Sequence, residues 1–231
     1  MEFAFTAEEQ AFREDIRQFL RDHPPEHFAY EGMDAGYGSG AHSHAFMRQL
    51  GARGWLSMCW PREYGGQERP LMYKLILLEE LAAAGAPFGP LGGVDQVSES
   101  IIRYGSERLK QDLLPRASRG DITFWQGFSE PNAGSDLLSL QTTAVRDGDD
   151  YVLNGRKIWN SHAGIGSYGL VIARTNPTAP RHKGLSMVIW YWQPRSARGT
   201  GSIRGTGVGA YGGCDDRRGS RGVSGGVAHP D

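Results

Sequence analysis

Along the first 120 residues the hydrophobic positions recur at helical spacing. Phe12, Ile16, Phe19 and Leu20 lie on one face of a run that starts after Thr6 and cannot pass Pro24-Pro25, where the hydrogen-bond ladder fails. Thr6 and Glu9 have the spacing of a Thr-x-x-Glu capping box, with Phe5 placed as its staple. Residues 31–40, rich in Gly and small polar residues, predict a loop; a second helix is predicted over about Ser43 to Arg53, closed by Gly54. Trp60-Pro61-Arg62-Glu63-Tyr64-Gly65-Gly66 predicts an ordered turn in which Pro61 fixes φ and the paired glycines permit positive φ. Pro70 suits the start of a helix that Leu71, Leu75, Ile76, Leu78, Leu81 and Ala82 to Ala84 make apolar over much of its circumference, predicting a central position. Gly85 stops it. Further helices are predicted from about Val94 to Tyr104 and, capped by Ser106, through Leu109, Leu113 and Leu114 up to Pro115.

After Gly120 the period changes from helical to alternating. Strands are predicted at Thr123 to Phe128, Thr142 to Arg146, Tyr151 to Leu153, Arg156 to Trp159, Gly169 to Arg174 and Leu185 to Trp190. Asp147-Gly148-Asp149-Asp150 and Asn154-Gly155 read as hairpin turns, since Gly tolerates the positive φ of a type I′ turn. Helices followed by strands, without alternation, predict an α+β fold: an all-α domain over residues 1–120, then a small antiparallel β-barrel or sandwich over 121–190. The last stretch, 191–231, holds eleven glycines and six arginines but no Leu, Lys or Glu. It shows no helical or strand period and predicts a disordered, low-complexity tail. Gly207-Val208-Gly209-Ala210-Tyr211-Gly212 matches G-x-G-x-x-G, but without a preceding strand and a following helix the match is chance.

Composition narrows the function. At 39% hydrophobic content, 231 residues can bury one sizeable core or two modest ones. A formal net charge of −1 with no basic helical face argues against nucleic acid or an anionic membrane surface. No apolar run reaches spanning length, and Met1-Glu2-Phe3 carries an acid where a signal peptide carries basic residues. Cys59 and Cys214 form no disulfide framework and no metal spacing, and His42 and His44 lack partner ligands. The expectation is a cytoplasmic protein without a metal.

Two stretches can carry chemistry. Phe128-Ser129-Glu130-Pro131-Asn132-Ala133-Gly134-Ser135-Asp136 is a strand end feeding a loop: Pro131 stiffens it, Gly134 permits close approach of a ligand, and Ser129 and Ser135 offer hydroxyls. The plainer reading is an inter-strand loop with Asp136 capping its own backbone. The second stretch, Asn154-Gly155-Arg156-Lys157-Ile158-Trp159-Asn160-Ser161, holds an aromatic that could equally be core, and His162 beside it reads as a surface residue.

Together with Trp60 to Gly66 and the Gly105-Ser106-Glu107 to Leu114-Pro115 lead-in, these motifs resemble the flavin-dependent acyl-CoA dehydrogenases, in that family's order and spacing, from Phe3 to about Ile189. The resemblance implies FAD as cofactor, held by Gln126, Phe128, Ser129, Ser135, Trp159 and Ser161. Backbone at Phe128 and Ser129, with the Ser129 hydroxyl, would meet the pyrimidine edge of the isoalloxazine; Trp159 would pack on the rings and Ser161 face N5. Ser135 would lie toward the pyrophosphate and the acyl-CoA substrate. Ser129 and Ser161 stand where many members have Thr, whose extra methyl restricts the rotamer. The implied reaction removes the pro-R α-proton with a carboxylate base while the β-hydride passes to flavin N5, giving a trans-2-enoyl-CoA and passing electrons to an electron-transfer flavoprotein. By the same resemblance the base belongs to a C-terminal four-helix domain, which this sequence does not show, and oligomer contacts complete the adenine site. No catalytic residue is therefore assigned; Glu130 belongs to the flavin loop. The change of composition after Trp190 suggests a frameshift, and readings as a flavin oxidase or monooxygenase of the same fold, or as a non-catalytic remnant or partner subunit, stay open.

Overall fold

The structure, a computed structural model, describes residues 4–24, 41–87, 89–147, 150–160, 163, 166–193 and 202–210. The loop predicted at 31–40 lies outside them. The chain divides into two compact units: one comprises residues up to Ser98 with Lys110–Thr123, the other Glu99–Leu109 with the chain from Phe124 onward. Among the described residues no helix is long and apolar enough to cross a membrane.

The chain up to Thr123 is helical. Helix α1 (Ala7–Asp22) begins at the predicted capping box, with Glu9 N–H donating to the Thr6 hydroxyl and Thr6 N–H to the Glu9 carboxylate. Phe5 lies under the Arg13 guanidinium, 4.4 Å from the ring centre. Phe12, Ile16, Phe19 and Leu20 are its buried residues, and Phe12 and Phe19 meet Trp55 edge-on at 5.7 and 5.2 Å. Helix α2 (Ala41–Ala52) forms where a helix was predicted over about Ser43 to Arg53, and it includes His44. The turn after Trp60 is ordered as predicted, but its two glycines differ in purpose. Gly65 takes φ 82°, whereas Gly66 makes room: a Cβ there would lie 1.9 Å from the Trp60 carbonyl oxygen.

Helix α3 (Leu71–Ala83) buries Ile76, Leu77 and Leu81, yet Leu71, Met72 and Leu75 are exposed, so it is not the all-round buried helix its composition predicts. Its Glu80 receives Arg17 and Arg13 of α1; the Arg17 guanidinium, foremost, holds the carboxyl below the usual range against the effect of burial. Helix α4 (Gly89–Tyr104) starts earlier than predicted, at a Gly-Pro step suited to a first turn. Helix α5 (Glu107–Ser118) runs through Pro115 instead of ending there. Pro115 forfeits one N–H, but Leu113, Leu114 and Ala117 continue the buried face on both sides, and Gly120 at φ 73° ends the run.

The second unit holds one six-stranded sheet: β1 (Phe124–Gly127), β2 (Thr143–Asp147), β3 (Asp150–Asn154), β4 (Tyr168–Arg174), β5 (Leu185–Gln193) and β6 (Ser202–Ala210). Their order is β3-β2-β4-β5-β6, with β1 on β4. It is mixed, correcting the antiparallel prediction: β1 runs parallel to β4, and β2 meets the end of β4 in parallel. The β2–β3 hairpin forms as predicted, Asp147 opposite Asp150, while its turn residues Gly148 and Asp149 lie outside the described residues. β3 and β6 approach one another, so the sheet curls toward a barrel. β4 is buried on both faces, Val171 and Ala173 in one apolar cluster and Ile172 in the other. That accounts for its unbroken apolar run.

Three further predictions are corrected. Arg156 to Trp159 is not a strand, and Gly155 does not have positive φ. Gly155 is required by contact: a Cβ would lie 2.6 Å from the Thr142 Cα. Within the stretch predicted to be a disordered tail, residues 202–210 form β6 on β5, with Gly205 opposite Trp190 and Gly207 opposite Val188. Bulky partners supply what the glycines lack, and the G-x-G-x-x-G run begins within this strand. Residues 211–231 lie outside the described residues.

Candidate functional site

The loop after β1 and the segment after β3 are joined by a set of short contacts within the second unit. Glu130 N–H donates to the Ala133 carbonyl at 2.8 Å and Ala133 N–H returns to Glu130 O at 3.0 Å, closing a tight turn around Pro131-Asn132. The Glu130 side chain points inward and is only 8% exposed. Its carboxylate accepts from the N–H groups of Gln141 (2.7 Å) and Thr142 (2.9 Å) and from the Lys157 ammonium (2.9 Å). Lys157 Nζ also donates to the Phe128 carbonyl at 3.0 Å, and Ile158 N–H donates to Ser129 O at 3.0 Å. With its amide oriented by the surrounding carbonyls, Asn160 donates to Ile158 O (3.1 Å) and Gln126 O (3.2 Å). The two sequence motifs are thus laced together at Gln126, Phe128, Ser129 and Glu130.

Electrostatics follow from burial. Desolvation pushes the Glu130 carboxyl up, but the donors from Gln141, Thr142 and Lys157 outweigh it and hold the group at about 2. Burial lowers the Lys157 ammonium, and its partner Glu130 opposes the shift. Because the folded value of Glu130 lies below its ordinary 4.5, its contribution to stability is fully present above pH 4.5 and is lost as pH falls through about 2. Acid titration of the chain, followed by tryptophan fluorescence, is expected to show a loss of stability across that window which a Glu130→Gln variant lacks. An unchanged profile in the variant would contradict the assignment.

Trp159 follows at φ 58°, a left-handed conformation that is a genuine strain for a bulky residue, and its indole is 81% exposed. The core reading of this aromatic is excluded. Its neighbours Lys157 and Ile158 are anchored inward, so the backbone must turn sharply to continue, and the turn sets a large flat apolar face in solvent. On the other arm of the loop Gly134 and Ser135 are exposed, and a Cβ on Gly134 would meet nothing within 4 Å. Asp136 does not cap its own backbone through its side chain. It forms a two-oxygen ion pair with Arg181 (2.6 and 2.9 Å), while Arg174 donates to Leu138 O and Leu140 O.

Of the sequence-predicted residues, Gln126, Phe128, Ser129 and Trp159 converge on the laced segment, and Ser135 sits apart on the exposed arm. Ser161 and His162 lie outside the described residues. The arrangement fits a flat heteroaromatic group: an exposed indole to stack on, a backbone loop pinned on its inner side, and an open glycine and serine arm beside it. Sequence reasoning missed the Glu130–Lys157 pair, the Asn160 bridge and the Asp136–Arg181 pair. The one hint was opposite charges in two neighbouring motifs. Among the described residues no cluster of three or more His, Cys, Asp or Glu could hold a metal ion.

Residues 6–121 match the family model for the acyl-CoA dehydrogenase N-terminal domain, and residues 126–207 match that for the middle domain, a match that reaches into β6. The chain is similar to acyl-CoA dehydrogenase FadE26 of Mycobacterium tuberculosis, 40% identical over 194 residues, covering 82% of this chain and 48% of the relative. Among solved structures it resembles the ChsE4–ChsE5 complex from M. tuberculosis (TM-score 0.71, 34% identity, 91% of this chain and 56% of that one). It also resembles the Tcur3481–Tcur3483 steroid ACAD (TM-score 0.73, 35% identity, 89% and 54%). The chain spans about half the length of the curated relatives it matches.

Proposed function

This chain belongs to the acyl-CoA dehydrogenase family, and we propose that it carries the cofactor-edge half of an FAD-dependent enzyme that oxidises the α,β bond of an acyl-CoA thioester. The observation that supports this most is the exposed Trp159 indole held in left-handed backbone beside a loop pinned by Lys157 and Ile158. FAD, when bound, supplies a two-electron acceptor. Trp159 provides a face for its rings, and Gln126, Phe128 and Ser129 provide the polar edge. By the family resemblance the Ser161 hydroxyl would face flavin N5. Ser135, on the open arm, lies toward the pyrophosphate and the acyl-CoA. The steroid enzyme among the similar structures makes a steroid-bearing thioester the first substrate to test.

The α-proton needs a carboxylate base. Glu130 is buried and committed to its donors, and Asp136 is paired with Arg181, so neither acid of the site has a free carboxylate for that task. The base and the adenine contacts would come from the C-terminal domain and oligomer contacts of a full-length, oligomeric, cytoplasmic enzyme that passes its electrons to an electron-transfer flavoprotein. Titrating the purified chain with FAD is expected to give weak binding that the Trp159→Ala change abolishes, with negligible oxidation of acyl-CoA. Stoichiometric flavin that bleaches on adding substrate would overturn the assignment of the base elsewhere; wild-type FAD affinity in Trp159→Ala would overturn the stacking role.

A further inference from the structure

We propose that Lys157 is a positioning residue that polarises the Phe128–Ser129 peptide, making the Ser129 N–H a stronger donor for the electron-rich edge of the cofactor; this rests on the flavin reading above. The Phe128 carbonyl accepts from a full ammonium at 3.0 Å, in a site where Lys157 is 7% exposed. A cation on the carbonyl end of a conjugated amide draws electron density toward oxygen and leaves the N–H more positive. There are no cis peptide bonds among the described residues. A trans peptide carries its N–H opposite its C=O, so the Ser129 N–H points away from the buried ammonium, to the other side of the loop.

The neighbouring peptide has no such bias. Ser129 O accepts from a neutral backbone N–H, that of Ile158, and Glu130 N–H donates to Ala133 O. Of these two neighbouring peptides, the Phe128–Ser129 unit is the one that accepts from a charged group among the described residues. Glu130 offsets part of the ammonium's field, its carboxylate being shared with the N–H groups of Gln141 and Thr142. Its part is to hold the ammonium in place. Polarisation passed through a peptide strengthens the next hydrogen bond by about 10–30%, in the sense that suits an edge where negative charge accumulates on reduction.

The test uses the full chain, isotope-labelled for amide spectra, with FAD titrated by fluorescence quenching. Lys157→Met strands the Glu130 charge, so the double variant E130Q/K157M, which removes both charges, is decisive, and Lys157→Arg is the conservative control. In the double variant the Ser129 amide proton is expected to move upfield while the Ile158 amide stays, and the FAD dissociation constant to rise about twofold. Lys157→Arg should retain both values. A folded double variant with the wild-type Ser129 shift and FAD affinity would overturn the proposal. A moved amide in a chain to which FAD does not bind at all would overturn the flavin reading instead and leave the polarised peptide standing.

Discussion

Replacing Glu130 with Ala is expected to destabilise the β unit by about 3–5 kcal/mol, the range for removing one partner of a buried ion pair. The deletion leaves the Lys157 ammonium, 7% exposed, with only the Phe128 carbonyl of its two described partners, and strips the Gln141 and Thr142 N–H groups of their acceptor. Unsatisfied buried donors each add to the cost. Against a typical domain stability of about 5–15 kcal/mol the change is a large share of the whole. Glu130→Gln keeps one accepting oxygen but sets an NH2 donor where the other oxygen accepts, so it should cost less than Ala while losing the charge and one acceptor. Denaturant melts of the three proteins read this directly: a loss below about 1 kcal/mol for Glu130→Ala would mean that water screens the pair, as in a surface ion pair.

The same pair marks where sequence reasoning stops. The α1 face, the Thr6 capping box and the Asp147–Asp150 hairpin depend on residues a few positions apart, so spacing alone determines them. Glu130 and Lys157 are 27 residues apart, and the alternating pattern of Arg156 to Trp159 suggested a strand because it contains nothing to say that Lys157 turns inward to a carboxylate. The parallel pairing of β1 with β4 was illegible for a related reason: both runs are short and apolar, and such runs carry no direction. β6 was missed although Gly205, Gly207 and Gly209 alternate at strand spacing, because glycine carries no hydrophobic signal; only its partner strand supplies the bulk. Trp159 shows the complementary case. Its motif singled it out, but whether the ring is buried or presented depends on a single backbone angle.

Trp125→Ala is expected to cost about 3–5 kcal/mol, and its effect should depend on a glycine in the next strand. Strand register aligns Trp125, Gly169, Trp190 and Gly205 across β1, β4, β5 and β6. The two indoles meet edge-on at 5.0 Å, and a Cβ on Gly169 would lie 2.3 Å from the Trp125 ring. Trp125 is 3% exposed, with Ala144, Val171 and Val188 in the same cluster, so its ring has nowhere to retreat. Its Nε1 has no partner among the described residues, so Trp125→Phe, which sheds that buried donor, should lose distinctly less than Trp125→Ala. Gly169→Ala alone should destabilise by about 1–3 kcal/mol through overpacking. Combined with Trp125→Ala the added methyl enters the vacated volume, so the double variant should be more stable than the sum of the two losses predicts. A double-mutant cycle with coupling under about 0.5 kcal/mol would show instead that the indole shifts freely, and that the glycine is not what seats it.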